Sequence, residues 1–232
     1  MHVVITGASR GLGRFLARGL GPKSEKLHLI YHEDDEKMRE TVEGISAPYD
    51  VFKCDISQEP EVAHVFQQIP EIDVLINNAG FNEDALLENM GIDSWKKVID
   101  VNLTGAFLCS KYAVPKMTKF GSQIINISSV VAQTGSVGAV NYAASKAGLE
   151  GLTRSLGREL IRKGIFVNAI ALGFFDVGMG TRLPAKIKEK VLAQILLKKF
   201  GDPVEVLKLI EYLIGQRYMV GQVICLNGGY RI

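Results

Sequence analysis

The chain has few of the residues that mark secreted, metal-binding or membrane proteins. Its 232 residues include only three cysteines, Cys54, Cys109 and Cys225. Their odd number and irregular spacing fit neither a disulfide framework nor a metal site, so a reducing compartment is expected. No run reaches the ~18 apolar residues of a membrane span, and the N-terminal "HVVITG" is too short for a signal peptide. We therefore expect a cytoplasmic protein with no membrane partner.

The sequence also lacks a strong charge of either sign. Its 27 basic and 25 acidic residues give a net charge of +2, too mild to indicate a nucleic-acid partner. The longest charged run, "EDDE" at 33–36, is interpreted as a solvated turn after a strand. The histidines, His2, His28, His32 and His64, lack metal-ligand spacing, and no metal is predicted.

Short apolar runs alternate with longer amphipathic segments. The runs predict strands at 3–6, 27–31, 73–78, 123–128, 165–171 and 222–227. Segments at 11–21, 59–68, 93–118, 142–163 and 203–214 have apolar residues at intervals of three and four and predict helices. Apolar strands separated by helices are typical of a parallel sheet covered on both faces. We predict a single α/β domain over 1–232, a Rossmann-like doubly wound parallel sheet of about seven strands.

The least regular segment is 172–200, where glycines give way to a basic amphipathic stretch. It fits either a surface helix after a loop or a flap over a substrate. Both interpretations stay open, because loops that follow strand C-termini bind ligands in this architecture.

A glycine-rich loop, "TGASRGLG", follows the first predicted strand and precedes a predicted helix. Gly7, Gly11 and Gly13 permit a tight turn and a close approach of the backbone to phosphate. The helix N-terminus supplies free N–H groups and the positive end of its dipole. This context indicates a dinucleotide-binding site, which a glycine-rich string alone would not.

Tyr142 and Lys146 occupy positions i and i+4 of a predicted helix and would project into one cleft. A phenol has an ordinary pKa of ~10, and we expect the Lys146 ammonium to lower that pKa. Tyr142 could then give a proton to a carbonyl oxygen while a nicotinamide supplies hydride to the carbon. Ser129, at a strand end, would hydrogen-bond the same oxygen. Each residue alone has an ordinary structural explanation, but their combination favours catalysis.

These motifs resemble those of the short-chain dehydrogenase/reductase family over essentially the whole chain. The similar segments are "NNAG" at 77–80, "VNLTG" at 101–105, "NISS" at 126–129, "YAASK" at 142–146 and "NGG" at 227–229. Within the family, "NYAASKAGLEGLTRSLGREL" is most similar to the 3-oxoacyl-[acyl-carrier-protein] reductases. The resemblance implies a catalytic tetrad of Asn102, Ser129, Tyr142 and Lys146. Lys146 would also hold the nicotinamide ribose, and Asn102 would anchor a water that links Lys146 to solvent.

The resemblance also implies a set of cofactor-binding residues. They are Gly7, Ser9, Arg10, Gly11, Leu12, Gly13, His32, Asp55, Ile56, Asn78, Ala79, Gly80, Tyr142, Lys146, Gly173 and Phe175. Asp55 would meet the adenine amino group, although an Asp at that place could equally start a turn before a helix. The backbone from Asn78 to Gly80 would pass the adenosine ribose.

The choice between the two dinucleotides depends on charge near the ribose. Arg10 could face a 2′-phosphate, and Tyr31 ends the second strand where an NAD enzyme usually has Asp. Glu33, twenty residues beyond Gly13, argues the other way, because a carboxylate would repel phosphate or bind the free 2′-hydroxyl. His32 could assist either cofactor. We predict NADP(H), with NAD(H) as the alternative.

The chain departs from the family pattern after the sixth predicted strand. Leu172 stands where the family usually has Pro, and Val177 stands where it has Thr. Loss of Pro frees a backbone φ and is expected to loosen the loop. Loss of the Thr hydroxyl removes a hydrogen bond worth about 0.5–1.5 kcal/mol. Catalysis remains expected, because the backbone around Phe175 could bind the carboxamide, but specificity stays open.

The resemblance implies NADPH-dependent reduction of a 3-oxoacyl thioester, linked to acyl carrier protein or CoA, with Tyr142 as proton donor. Two alternatives remain: the same site acting on a sugar, polyol or other secondary alcohol or ketone, and a dinucleotide-binding scaffold with little turnover. Lys119, Arg162 and Lys163 could form a basic surface for the carrier protein or be ordinary solvated charges. The resemblance also implies a homotetramer, with helices 93–118 and 142–163 across one interface and the C-terminal strand near another.

Overall fold

The computed structural model describes residues 1–178 and 180–230, apart from the side chain of Arg182. Its sheet consists of β1 His2–Thr6, β2 Lys26–Tyr31, β3 Tyr49–Lys53, β4 Val74–Asn77, β5 Ser122–Ser129, β6 Ile165–Leu172 and β7 Val223–Leu226. All neighbouring strands are parallel, in the order β3-β2-β1-β4-β5-β6-β7. The predicted doubly wound α/β fold is confirmed. The strand order reverses direction between β1 and β4, which is where such sheets bind ligands.

Helices cover both faces of the sheet. They are α1 Gly11–Leu20, α2 Asp35–Val42, α3 Glu59–Gln68, α4 Ile92–Ile99, α5 Gly105–Ala113, α6 Val131–Thr134, α7 Val140–Leu160, α8 Ala185–Gln194 and α9 Pro203–Gly215. One apolar cluster joins the sheet to α1, α2 and α9, and a second joins it to α3, α5 and α7. Val3 and Ile5 pack in the first cluster and Val4 in the second, as the period of two in a strand requires. In the described part of the chain, no helix is both long and apolar enough to cross a bilayer.

The structure differs from the sequence prediction at β3 and in the segment 93–118. The apolar runs indicate six strands, and the structure adds β3, an edge strand whose residues alternate between exposed and half-buried and therefore form no apolar run. The predicted helix 93–118 is instead α4 and α5, separated by a π-helical turn over Asp100–Thr104.

The acidic run is also more ordered than the predicted solvated turn. Asp34 adopts φ 73° and caps α2, accepting a hydrogen bond from the Lys37 N–H at 3.1 Å. Asp35 and Glu36 lie in the first turn of α2, where carboxylates interact favourably with the helix dipole. The turn prediction holds for Glu33 and Asp34, which lie between β2 and α2, and is wrong for Asp35 and Glu36, which begin a helix.

The N-terminal edge of the sheet contains a buried histidine. His28 in β2 has no exposed surface, and its Nδ1 lies 3.1 Å from a carboxylate oxygen of Asp50. Its Nε2 lies 3.3 Å from Nδ1 of His2, whose own Nε2 lies 3.1 Å from Glu71. Burial lowers the pKa of His28 to about 4, against the opposing effect of Asp50.

This lowered pKa predicts a loss of stability in acid. The unfolded chain binds a proton at His28 as the pH falls through 6.5, whereas the folded protein keeps His28 neutral down to about 4. The free energy of unfolding should therefore fall by about 3 kcal/mol from this group between those pH values. Denaturant unfolding of His28→Asn across pH 4–7 should show a shallower slope. The exposed His64→Asn variant is the control, and an equal slope in both variants would contradict the prediction.

Candidate active site

The predicted tetrad lies at the carboxyl end of the sheet. Ser129 is the last residue of β5, and Tyr142 and Lys146 lie one turn apart near the start of α7. Asn102 lies in the π-helical turn before α5. Because α7 packs against β5 and against that turn, one region contains all four side chains.

Lys146 is buried, with 3% of its surface exposed. Its Nζ donates to the carbonyl oxygen of Ile127 at 2.7 Å and lies 5.7 Å from the centroid of the Tyr142 ring. Burial lowers the pKa of Lys146 to about 8, because a carbonyl compensates a buried ammonium less well than a carboxylate does. The remaining donors of Nζ lie near Gly80, where an added Cβ atom would sit 3.5 Å from the nitrogen.

Tyr142 is half-buried, and burial raises its pKa to about 12. The Ser129 side chain acts in the opposite direction, and the charge of Asp84 adds to the increase. The pKa of Tyr142 is thus raised overall rather than lowered as expected, because loss of water around the phenol outweighs the other effects. The phenol therefore holds its proton firmly at neutral pH.

Ser129 keeps a hydroxyl proton available for a partner. Its Oγ accepts a hydrogen bond from the Val131 N–H at 3.2 Å, at the start of α6. A hydroxyl that accepts in this way can still donate its own hydrogen. Ser129 can therefore donate to an oxygen bound between itself and Tyr142.

Asn102 connects three elements and is 1% exposed. Its Oδ1 accepts from the Phe81 N–H at 2.8 Å, and its Nδ2 donates to the Phe81 carbonyl at 2.9 Å and to Ser145 Oγ at 3.0 Å. These contacts hold the loop after β4 against α7. A π-helical turn also widens the helical hydrogen-bond pattern, a feature frequent at functional sites. The water-anchoring role of Asn102 stays a prediction.

The glycine positions of the loop have no space for a side chain. Gly7 adopts φ 69°, and a Cβ atom there would lie 2.8 Å from the Ala79 Cα. A Cβ atom on Gly13 would lie 2.1 Å from the Gly7 carbonyl oxygen. From the other side, the Asn78 amide donates to the Thr6 carbonyl at 2.8 Å and to the Gly7 carbonyl at 3.3 Å. The "NNAG" segment thus packs directly against the loop.

The residues present fit a dinucleotide phosphate. Helix α1 has neither a side-chain cap at Arg10 nor an acidic residue in its first turn, so its first N–H groups are free to meet an anion. The Arg10 side chain is exposed beside them, and Ser9 and Leu12 flank it. Gly11 adopts φ 56°, and a Cβ atom there would lie 3.0 Å from the Gly178 Cα.

The residues predicted near adenosine lie after β2 and β3. The Nε2 atom of His32 is 3.9 Å from an Asp55 carboxylate oxygen, and its Nδ1 is 3.7 Å from Glu33. The other Asp55 oxygen accepts from the Ser57 N–H at 3.0 Å and the Ser57 hydroxyl at 2.8 Å, which is the turn geometry of the alternative interpretation. Ile56 is buried. One Asp55 oxygen remains free of the turn.

The segment at the end of β6 is bound to its neighbours through backbone groups. Leu172 is the last residue of β6, and its carbonyl accepts from the Val130 N–H at 2.9 Å. Gly173 N–H donates to the Leu226 carbonyl at 2.9 Å, so the sheet supports the position that lacks Pro. Phe175 is buried and pairs with Gly201 through a β-bridge. The sheet thus holds Leu172 as the last residue of β6, and the expected loosening of the following loop stays a prediction.

The residue that replaces Thr belongs to the core. Val177 packs against the apolar cluster that contains Phe175 and α1. Beyond it, α8 is largely exposed, with Val191 as its buried residue in the described structure. This matches a surface helix after a loop, and the flap interpretation stays a prediction.

Comparison with known proteins identifies the family of this chain. Residues 1–188 match the family described as short chain dehydrogenase. The chain belongs to the short chain dehydrogenase family. Members of this family are NAD(P)-dependent oxidoreductases that act on CH–OH and C=O groups, and this chain is one of them.

Curated relatives cover nearly all of this short chain dehydrogenase. The 3-oxoacyl-[acyl-carrier-protein] reductase FabG of Staphylococcus aureus (strain N315) is 40% identical over 236 residues, 97% of this chain and 96% of the relative. The enzyme of the same name from Aquifex aeolicus (strain VF5) is 38% identical over 237 residues, 97% of this chain and 95% of the relative. The structure of a dehydrogenase/reductase from Sinorhizobium meliloti 1021 superposes with a TM-score of 0.93 at 26% identity, covering 100% of this chain and 95% of that one.

Several supporting residues of this short chain dehydrogenase were missed by the sequence reasoning. The Thr6 hydroxyl accepts from the N–H groups of Asn78 and Ala79, both at 3.0 Å. Asn141 donates to the Glu83 carbonyl at 2.9 Å and so holds the loop after β4 beside Tyr142. Arg14 contacts the glycine loop from behind. The only indication of these residues in the sequence is that each lies beside a motif. That position does not reveal which distant residue each of them contacts.

The contacts of Asn102 predict a large effect on stability. Asn102→Ala leaves the part-buried Phe81 N–H and the buried Ser145 hydroxyl without this partner, and should lower the free energy of unfolding by about 1–3 kcal/mol. Asp100→Asn changes an exposed side chain in the same π-helical turn and should stay within about 0.5 kcal/mol of wild type. Urea denaturation measures both variants. Equal losses would mean that the side-chain bonds of Asn102 do not support the turn.

Proposed function

We propose that this short chain dehydrogenase reduces a 3-oxoacyl thioester, linked to acyl carrier protein or CoA, to the 3-hydroxyacyl product with NADPH. The observation that carries the proposal is the grouping of Ser129, Tyr142 and a buried Lys146 beside the glycine loop. The proposed substrate is supported by the relatives, which match over 97% of the chain and bear the name 3-oxoacyl-[acyl-carrier-protein] reductase.

The tetrad divides the chemistry among its members. A bound dihydronicotinamide supplies the hydride to the carbonyl carbon. Tyr142, protonated at neutral pH, donates its phenol proton to the carbonyl oxygen as negative charge develops there. The Ser129 hydroxyl donates a hydrogen bond to the same oxygen and orients it. The two donors thus stabilise one developing alkoxide.

Lys146 stabilises the phenolate that Tyr142 becomes when it has donated its proton. Its ammonium, 5.7 Å from the ring centroid, stabilises negative charge on the phenol more strongly in this buried setting than it would in water. Lys146 would also hold the nicotinamide ribose through its remaining N–H donors. Asn102 would anchor the water through which a proton returns to this pair.

The cofactor proposal is NADP(H), held by the loop residues, by His32, Asp55 and Ile56, and by the backbone of Asn78–Gly80 and of Gly173 and Phe175. Arg10 offers an exposed guanidinium to a 2′-phosphate. Two of the nearby acidic residues have cationic partners: Asp34 pairs with Lys37, and Asp35 pairs with Lys53 at 2.9 Å. The Tyr31 hydroxyl donates a hydrogen bond to Asp35 at 3.0 Å.

An acyl carrier protein remains the proposed carrier, but the basic surface suggested for it is corrected. Lys119 is paired with Asp73 at 3.0 Å and with Glu71 at 3.3 Å. Lys119, Arg162 and Lys163 precede β5 and β6 and therefore lie at the N-terminal edge of the sheet, opposite Ser129. A carrier that delivers an acyl group to Ser129 would dock at the other edge.

A homotetramer also remains part of the proposal. Large apolar side chains are exposed on α4 and α5, where 62% of Ile92, 36% of Trp95 and 44% of Phe107 is accessible. Contacts between subunits would remove this surface from water. The predicted interface along α4, α5 and α7 fits that requirement.

The proposed reaction predicts the behaviour of Tyr142→Phe. Absorbance at 340 nm with acetoacetyl-CoA should show NADPH oxidation by the wild type and a rate at least ~100-fold lower in the variant, because the proton donor is lost. The variant should still bind NADPH, as followed by the nucleotide fluorescence. Tyr112→Phe removes a phenol hydroxyl that donates to Glu59 on the surface, and should keep wild-type activity.

Other outcomes of this assay separate the alternatives. Turnover of a polyol or sugar but not of acetoacetyl-CoA would contradict the acyl substrate while retaining the site. NADPH binding without turnover of any of these substrates would indicate the scaffold instead.

The cofactor proposal predicts a selective effect of Arg10→Ala. Loss of the guanidinium should raise KM for NADPH roughly tenfold, as expected for a hydrogen bond to a charged group, and change KM for NADH little. Arg158→Ala, an exposed substitution near the end of α7, should change neither. Wild-type preference for NADH, or an equal effect of Arg10→Ala on both cofactors, would contradict NADP(H) recognition by Arg10.

A further inference from the structure

The glycine loop is bound from behind by polar side chains that the proposed mechanism does not use. They are Arg14 on α1 and Thr41 on α2, and both contact the Ser9 carbonyl. We propose that Arg14 is a positioning residue that sets the phosphate-binding conformation of the loop and joins it to α2. The inference rests on the proposed placement of the dinucleotide at this loop.

The contacts of Arg14 use its whole guanidinium group. Nε and Nη2 donate to the Ser9 carbonyl at 3.2 and 2.9 Å, and Nη2 also lies 2.9 Å from the Lys37 carbonyl. Nε lies 3.0 Å from Thr41 Oγ1, and Nη1 pairs with Glu40 at 2.8 Å. Three of these four partners are neutral oxygens of the loop or of α2, so geometry rather than charge pairing dominates the arrangement.

Thr41 completes the arrangement inside the protein. It has no exposed surface, and its Oγ1 lies 3.0 Å from the Ser9 carbonyl and 2.8 Å from the Lys37 carbonyl. A hydroxyl has a single hydrogen to donate, so it cannot satisfy both carbonyls at once. Arg14 supplies the additional donors that the Ser9 and Lys37 carbonyls need.

Fixing the Ser9 carbonyl also fixes the Arg10 N–H. The two groups belong to one planar trans peptide and point in opposite directions. With the carbonyl directed at Arg14 and Thr41, the Arg10 N–H is directed away from α2, at the N-terminus of α1. An anion bound at that terminus would meet an amide whose orientation requires no further ordering, which lowers the entropic cost of binding.

The same contacts connect two parts of the proposed cofactor site. Helix α2 follows His32 and Glu33 directly, and its first turn contains Lys37. Arg14 therefore fixes the ribose-side segment relative to the phosphate-side loop. In the part of the chain that the structure describes, the hydrogen-bond partners of Arg14 do not include Tyr142 or Lys146. Loss of Arg14 should therefore affect cofactor affinity rather than the chemical step.

Arg18 provides a matched comparison one helical turn further along α1. Its guanidinium also bonds to α2, at the carbonyls of Thr41 and Glu40. The hydrogen bonds of the Arg18 side chain are made to α2, and none is made to the loop residues that the structure describes. Removing Arg18 thus breaks an α1–α2 connection of similar kind without releasing the Ser9 peptide.

The experiment measures the Kd of NADPH and of NADH by nucleotide fluorescence in Arg14→Ala and Arg18→Ala, without acyl substrate. Arg14→Ala should raise the Kd at least about tenfold, and Arg18→Ala should stay within about twofold of wild type. With acetoacetyl-CoA, Arg14→Ala should raise KM for the cofactor while kcat at saturating cofactor stays within about twofold. A purely structural role would instead give the two variants similar losses.

Two milder variants keep the test decisive should Arg14→Ala not fold. Arg14→Lys should give an intermediate Kd, because one ammonium cannot reproduce the planar set of donors. Thr41→Val should raise the Kd several-fold, since it removes a contact to the same carbonyl. Equal Kd values for the Arg14 and Arg18 variants, or a fall in kcat at unchanged KM, would overturn the inference. Wild-type binding without reduction of acetoacetyl-CoA would contradict the proposed substrate alone, and absence of dinucleotide binding would overturn both.

Discussion

The Lys146 ammonium is buried between α7 and β5, where Nζ donates to the Ile127 carbonyl at 2.7 Å. This bond ties the helix that carries Tyr142 to the strand that ends at Ser129. A buried ammonium without a carboxylate partner is unfavourable, which is why burial lowers the pKa of Lys146 to about 8. The fold tolerates that cost at a place where negative charge would develop during a carbonyl reduction. The rest of the site is arranged around this group.

The supports of the site are bonds between side chains and backbone. Asn102 holds Phe81, Asn141 holds Glu83, and Asn78 holds the end of β1. Each uses a short amide whose donors and acceptors match a peptide group, so each loop is fixed without a large apolar contact. The glycine loop is held in this manner on two sides, by Asn78 on one and by Arg14 on the other. Loops held at such points can stay open to a ligand and still have a defined shape.

The two ends of the sheet differ in what they contain. The N-terminal edge contains His28 and its paired acidic neighbours, and its basic residue Lys119 is used in ion pairs. The C-terminal edge contains an uncapped helix start, an exposed Arg10 and the buried Lys146 ammonium near Gly80. The difference follows from the parallel sheet, because the loops that follow all its strands lie at the same edge.

The sequence by itself determined the fold class, the family and the contiguous motifs, because periodicity and local spacing are properties of neighbouring residues. It indicated the glycine loop and the Tyr142–Lys146 pair, and the structure brings Asn102 and Ser129 to them. Only the tertiary structure decided the break of the predicted helix at Asp100–Thr104, the exposed edge strand β3 and the hydrogen bond from the Val130 N–H to the Leu172 carbonyl. It also reversed the expected pKa of Tyr142, since burial depends on residues far away in the chain. The contact of Arg14 with Thr41 spans 27 positions, and no local pattern carries such information.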